Sequence, residues 1–141
     1  VELDLNRTPD ALPAMAVTAA FAEGETRLVN VPQARSKETD RIKCMAEELK
    51  KLEVDVEELP DGFIIRGNKP RLNGGAKFLA PSFTGGLLLD GRSDHRIVMA
   101  LSLAGLVLDQ ECVIDTAEAM SVTFPDYVEL MRSIGADMKV E

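Results

Sequence analysis

At 141 residues the chain is long enough for one domain with a sizeable core and too short for two ordinary ones. An apolar share of 45% against 28% charged residues excludes a disordered chain. A formal net charge of −8, a pI near 4.7 and only 4% aromatics, without Trp, set the molecule against nucleic acid and membrane surfaces as partners.

Val1 to Leu5 alternates enough for a short strand. Asp10 is the expected N-cap of an Ala-rich helix from Ala11 to Ala22, with Pro13 tolerated in its first turn and Gly24 beyond its end. Arg27 to Val31 reads as a strand. Ser36 then stands as N-cap of a helix from Lys37 to about Leu52. Its apolar stripe is Ile42, Met45, Ala46, Leu49 and Leu52. At about 100° per residue Glu38 extends that stripe, Lys37 and Arg41 share its flank and Asp40 points away. Val54 to Leu59 and Phe63 to Arg66 flank Pro60-Asp61-Gly62, which is hairpin chemistry.

From Asn68 to Gly91 the chain is rich in Gly, Pro and Asn, with strand-like runs only at Ala76 to Leu79 and Gly86 to Leu89. The order of elements then recurs: a helix from Asp94 to Leu108, a strand from Cys112 to Ile114, a helix from Thr123 to about Ile134 and a strand from Asp137 to Val140. The helix after Asp94 is apolar almost all round, so it is expected to be covered on every side. Its apolar run, Ile97 to Leu108, is too short to span a bilayer.

Asp10…Met15-Ala16 recurs as Asp94…Met99-Ala100, and Leu52-Glu53-Val54-Asp55-Val56 as Ile134-Gly135-Ala136-Asp137-Met138. The fold class is therefore mixed α/β, one domain of two β-α-β-α-β-β-like units, about 1–67 and 86–141, joined by 68–85. The second unit stops before a closing hairpin strand and Val1 is not an initiator Met, so the chain is expected to be an excised or C-terminal segment of a longer protein.

Two helix starts are cationic, at Arg35-Ser36-Lys37-Glu38-Thr39-Asp40-Arg41 and at Asp94-His95-Arg96. Aligned peptide dipoles already place roughly half a positive charge at a helix N-terminus, so added Lys or Arg there calls for an anion. Arg96, second into an apolar helix, needs an anionic partner most of all. Glu38 on the buried stripe, between Lys37 and Arg41, is a carboxylate placed for proton transfer, although a first-turn Glu also simply complements the dipole. His95 is the sole histidine, which argues against a His-rich metal site. Cys44 and Cys112 form no CxxC pair, so reduced thiols in a cytoplasmic protein are expected, with neither disulfide nor metal.

Pro9-Asp10-Ala11, Arg35-x-Lys37-Glu38-Thr39-Asp40-Arg41, Asp94-His95-Arg96 before an Ala/Leu-rich helix, and Thr123-Phe124-Pro125-Asp126-Tyr127 resemble, in order and spacing, the C-terminal part of the 5-enolpyruvylshikimate-3-phosphate synthase family. The resemblance implies two similar domains of repeated units with helices inside and sheets outside, an inside-out α/β barrel, and a cleft site between them. It implies transfer of enolpyruvyl from phosphoenolpyruvate to the 5-hydroxyl of shikimate 3-phosphate, without cofactor or metal. By motif, Asp10 resembles the base for that hydroxyl and Glu38 the acid for the phosphoenolpyruvate methylene. Lys37 is similar to a shikimate-phosphate contact, Arg41 and Arg96 to the arginines that grip phosphoenolpyruvate, and Gln33 stands where the family often has Asn.

Val122 occupies a position where many members place a Lys that contacts phosphoenolpyruvate, a contact no apolar side chain supplies. The implied partners are the two anionic substrates and the missing N-terminal domain. Competing readings are the related transferase acting on a UDP-amino sugar and a noncatalytic α/β module that binds an anion or a partner protein.

Overall fold

The computed structural model describes residues 1–67, 86–108 and 110–141. The whole connection 68–85, including the strand-like run Ala76 to Leu79, lies outside the described residues.

The first unit follows the expected order. Strand β1 (Glu2–Asp4) leads through a 3-10 turn (Pro9–Ala11) into helix α1 (Leu12–Ala20), and β2 (Gly24–Val29) through a second 3-10 turn (Pro32–Ser36) into helix α2 (Arg41–Lys51). Strands β3 (Asp55–Leu59) and β4 (Gly62–Gly67) close it as a hairpin with Leu59 paired to Gly62. The sheet order is β1-β2-β4-β3, with β1 parallel to β2 and the other neighbours antiparallel. Leu28, Val56, Phe63 and Ile65 turn inward to one core with Leu12, Ala16, Ile42, Met45 and Leu49 of the helices. The outer face carries Glu25, Arg27, Asp55, Glu57 and Arg66, cross-paired in solvent. Gly67 lets the end of β4 approach α1 closely, because a Cβ there would meet the carbonyl oxygens of Ala19 and Ala22.

The second unit opens with β5 (Leu87–Asp90), helix α3 (His95–Val107) and β6 (Cys112–Asp115), where β5 and β6 pair in parallel as β1 and β2 do. A 3-10 segment (Ala117–Val122) and helix α4 (Tyr127–Ser133) follow. Helix α1 packs on α3, and Ile97, Ala100, Leu101 and Ala104 extend the common core. No helix among the described residues is long and apolar enough to cross a membrane.

The structure corrects several boundaries. Helix α2 begins at Arg41, not Lys37, and its cap is Asp40, whose Oδ1 accepts the Lys43 N–H at 2.9 Å. Ser36 ends a 3-10 turn instead, and extended backbone at Lys37 separates the two segments. Pro32 starts that turn at its fixed φ, and Asp40 captures the free N–H groups four residues after Ser36. Glu38 is therefore not on the buried stripe of a helix; it sits in the bend before one, half-exposed.

Asp10 lies within the 3-10 turn and caps nothing, since α1 has Ala11 as its N-cap residue and no side-chain cap. Helix α1 ends at Ala20, two residues early. Helix α3 is not covered on every side: Leu103 and Leu106 remain exposed.

The expected helix from Thr123 starts late, at Tyr127, because Pro125 disfavours helical backbone at Phe124 before it. Asp137 to Val140 forms no strand. In the first unit the equivalent segment, β3, pairs only with β4, and among the described residues after β6 there is no counterpart of β4. A strand without a neighbour leaves its N–H and C=O groups to water and gains nothing by extending.

Moving the start of α2 has a measurable consequence. Asp40→Ala removes the cap and should cost about 1 kcal/mol, whereas Ser36→Ala should change the urea midpoint little. A larger loss at Ser36 would restore the earlier helix start.

Candidate active site

The site is organised by the first residue of α2. Arg41 is fully buried, its side chain 1% exposed. Its Nε and Nη2 donate to Asp94 Oδ2 and Oδ1 at 2.8 and 3.1 Å, a bidentate pair. Nη1 donates to Asp10 Oδ1 at 2.9 Å and Nη2 to Glu38 Oε2 at 2.6 Å. One guanidinium thus gathers carboxylates from the turn before α1, the bend before α2 and the cap of α3. Three segments far apart in sequence meet at this point.

Asp94 is wholly buried and has two tasks: it caps α3 by accepting the Arg96 N–H at 2.9 Å, and it neutralises Arg41. Thr39 Oγ1 donates to it as well, at 3.2 Å. Burial pushes the Asp94 carboxyl up, but the hydrogen bonds and charge of Arg41, with the Arg96 N–H and Thr39, outweigh it. The net result lies below the ordinary value of 3.8.

Asp10 faces outward from the same knot. Lys37 Nζ stands 3.4 Å from its Oδ1 and Arg96 Nη2 3.4 Å from its Oδ2. Partial desolvation raises its affinity for a proton, yet Arg96, Lys37 and Arg41 together hold Asp10 below its ordinary value. It is a half-exposed carboxylate kept ionised, beside two cations, Lys37 and Arg96, that are themselves partly open to solvent. Glu38 is similarly half-exposed, and its second oxygen lies 3.9 Å from Nδ1 of the largely buried His95.

Behind Asp10 and Arg96 a cavity of about 270 Å³ runs between α1, α3 and α4, walled by Pro13, Met99, Leu103, Tyr127 and Met131. Asp10 and Arg96 are its charged lining residues. Among the described residues no group of His, Cys, Asp and Glu is arranged to hold a metal ion.

Of the residues expected from sequence, Asp10, Lys37, Glu38, Arg41 and Arg96 converge. Gln33 is turned aside, its Nε2 donating to Asn6 O at 2.9 Å. The anions demanded by the two cationic helix starts are in large part the protein's own carboxylates. Arg96 has the anionic partner required of it, but its side chain is 40% exposed; the deeply buried cation is Arg41.

Sequence reasoning missed Asp94 as a counterion, and with it Thr39. The available signal was that a cap on a buried helix is itself buried and can serve a second donor. Val122 projects into solvent, 83% exposed.

A mixed α/β unit is repeated along the chain and presents a carboxylate-and-arginine cluster at its helix starts. The model of the family described as EPSP synthase (3-phosphoshikimate 1-carboxyvinyltransferase) matches residues 1–131. The chain is 55% identical over 139 residues to the 3-phosphoshikimate 1-carboxyvinyltransferase of Ruminiclostridium cellulolyticum, covering 99% of this chain and 30% of that protein. It is 42% identical over 141 residues to the one from Methanocaldococcus jannaschii, again covering 30% of that protein.

Among solved structures, an EPSP synthase from Acinetobacter baumannii superposes with a TM-score of 0.82 at 33% identity, over 94% of this chain and 28% of that one. This chain belongs to the EPSP synthase family. It spans about 30% of the length of the relatives it matches. The repeated-unit α/β fold expected from the resemblance is the fold of these neighbours.

The buried pair carries a pH signature. Asp94 has a lowered folded-state value, so its contribution is complete above 3.8 and is lost as pH falls below 3.8 through the folded value. Asp94→Asn should destabilise by roughly 3–5 kcal/mol at neutral pH, because it leaves Arg41 under-neutralised in the core. It should also flatten the acid limb of the stability curve. Urea denaturation at pH 7 and at stepped pH below 4 checks both.

Proposed function

We propose that the chain supplies the proton-transfer face of a 3-phosphoshikimate 1-carboxyvinyltransferase, which moves the enolpyruvyl group of phosphoenolpyruvate to the 5-hydroxyl of shikimate 3-phosphate and releases phosphate. The observation that carries this reading is that Asp10 and Glu38 are held on two nitrogens of one buried guanidinium, with Lys37 and Arg96 beside them. Both carboxylates keep an open side toward solvent. That is what a group exchanging protons with a bound substrate requires.

Asp10 accepts the proton of the 5-hydroxyl as its oxygen attacks C2 of phosphoenolpyruvate, and Glu38 protonates the methylene carbon. The cationic character that develops at C2 is relieved by the new C–O bond. The methyl proton then returns to the Glu38 carboxylate as phosphate leaves the tetrahedral adduct carrying the proton held by Asp10, which restores the double bond and both side chains. Lys37 receives the shikimate phosphate beside the base, and Arg96 the phosphoenolpyruvate carboxylate or phosphate. Arg41 reaches substrate by exchanging one of its bonds to Asp10 or Glu38 for the incoming anion; otherwise it holds both in place. Gln33 reaches substrate only by giving up its bond to Asn6 O. Fixed charges of this kind act by stabilising the adduct without reorganisation.

The natural partner is the remainder of the enzyme, which closes over this face and brings the other substrate contacts, in the cytoplasm. No organic cofactor or metal takes part in the proposed steps. With Val122 exposed and apolar, the phosphoenolpyruvate cations on this chain are Arg41 and Arg96.

In the protein at its natural length, Asp10→Asn and Glu38→Gln should each lower kcat by about 100- to 10,000-fold, with smaller changes in KM. Release of inorganic phosphate from the two substrates is the assay. The purified 141-residue chain alone should show no steady transfer. Full turnover by either variant would overturn the assignment, and steady transfer by the isolated chain would overturn its need for the rest of the enzyme.

A further inference from the structure

A second buried charge lies on α2, away from the substrate face. Glu48 is wholly buried, and its carboxylate accepts from the Asp90 backbone N–H at 2.9 Å, from Lys51 Nζ at 2.9 and 2.7 Å and from Arg92 Nη2 at 3.1 Å. Seven residues separate it from Arg41, which is about two helical turns, so both project from the same side of α2. Both bind the same segment. Arg41 holds Asp94 and Glu48 holds Asp90 and Arg92, so the connection from β5 to α3 is fastened to α2 at its two ends.

That connection does not hold itself. Arg92 and Ser93 are consecutive non-glycine residues at φ of 56° and 54°. Left-handed backbone at such residues costs on the order of 1–3 kcal/mol each and persists only where the surroundings over-determine it. The other supports are Arg92 N–H to Asp90 Oδ1 at 2.8 Å, Ser93 N–H to Thr116 Oγ1 at 2.9 Å, Asp94 N–H to Gly91 O at 3.0 Å, Gly91 N–H to Asp115 O at 3.1 Å and Arg92 Nη2 to Oε2 of the half-exposed Glu47 at 2.8 Å. Among the described side chains, Glu48 is the wholly buried charge that reaches across from α2 to this strained loop. A carboxylate removed from water in this way is stable only with its donors in register, so it specifies one position of the loop.

We propose that Glu48 is a positioning residue of the active site: by fixing the Asp90–Ser93 loop against α2, it sets Asp94 on Arg41 and thereby the placement of Asp10 and Arg96. The inference rests on the proposed transferase reading for its kinetic consequence, but not for its structural one. Glu48 touches no substrate. Its effect passes through Asp94. A displacement of about 1 Å at a reacting group is enough to cost up to 100-fold.

The test uses Glu48→Gln, which keeps the acceptor for the Asp90 N–H and loses the charge, and Glu48→Ala, which loses both, in the protein at its natural length. Amide hydrogen exchange over residues 89–97 and steady-state kinetics with phosphoenolpyruvate and shikimate 3-phosphate are measured well below the unfolding midpoint. Exchange in that segment should rise in Glu48→Ala and less in Glu48→Gln. The value of kcat/KM per folded molecule should fall about 10- to 100-fold in Glu48→Ala with partial recovery in Glu48→Gln. Combined with Asp94→Asn, the loss should be clearly less than additive.

Unchanged exchange in the segment, unchanged kcat/KM per folded molecule, or full additivity with Asp94→Asn would each overturn the proposal. If the unsubstituted protein has no enolpyruvyl transfer, the functional reading fails by itself. The exchange data then decide this one.

Discussion

The structure depends on one buried cation. Arg41 stands at the first position of α2, where the helix dipole already disfavours positive charge, and it is closed off from water. Both costs are offset by carboxylates that fold brings from elsewhere: Asp94 from the start of α3, Asp10 from the turn before α1 and Glu38 from the bend just upstream. A buried ion pair of this kind adds little net stability over an apolar replacement. What it supplies is geometry. Three helix starts are pinned to a common point because each contributes an oxygen to the same planar guanidinium.

That constraint explains why the site sits where it does. The helices lie between the sheet and their own neighbours, so their N-terminal ends converge at one end of the packed layer, and the loops there are short. Asp10 and Glu38 each lend one oxygen to Arg41 and keep a part of the carboxylate open. The structural bond and the proposed chemical role therefore belong to the same group. Lys37 and Arg96 add positive charge from the open side, which keeps Asp10 ionised within a molecule of net charge −8. The local field overrides the global one only because these cations are within a few ångströms, inside the screening length.

The internal repeat shows where sequence pattern is reliable and where it is not. β1-α1-β2 and β5-α3-β6 share the same parallel pairing, and the recurrence of an Asp at the helix start followed by Met-Ala was enough to see it. Yet the two Asp residues do different things. Asp94 caps its helix and is buried, whereas Asp10 lies one residue ahead of the N-cap position of α1, in a 3-10 segment, and faces the cations. The pattern fixes the kind of residue at a place in the unit. It does not fix what that residue bonds to.

Composition, hydrophobic period and turn chemistry determined most of the architecture: the class, the repeat, the β3-β4 hairpin and the apolar faces of α1, α2 and α3 all follow from local order along the chain. The family resemblance also named Asp10, Lys37, Glu38, Arg41 and Arg96 as one set, together with Gln33. Tertiary structure alone decided three matters. It chose Asp40 over Ser36 as the cap, because a 3-10 turn at Pro32 used up the intervening residues and Arg35 bonds Asp40 Oδ2 at 2.9 Å. It buried Arg41 instead of Arg96, because only Arg41 points to where the three helix starts meet. And it left Asp137 to Val140 without a ladder, because a strand exists only with a partner. The burial of Arg41 turns on carboxylates brought from 31 and 53 positions away, and the cap on a turn that interrupts the helical period, so no single local period encodes them.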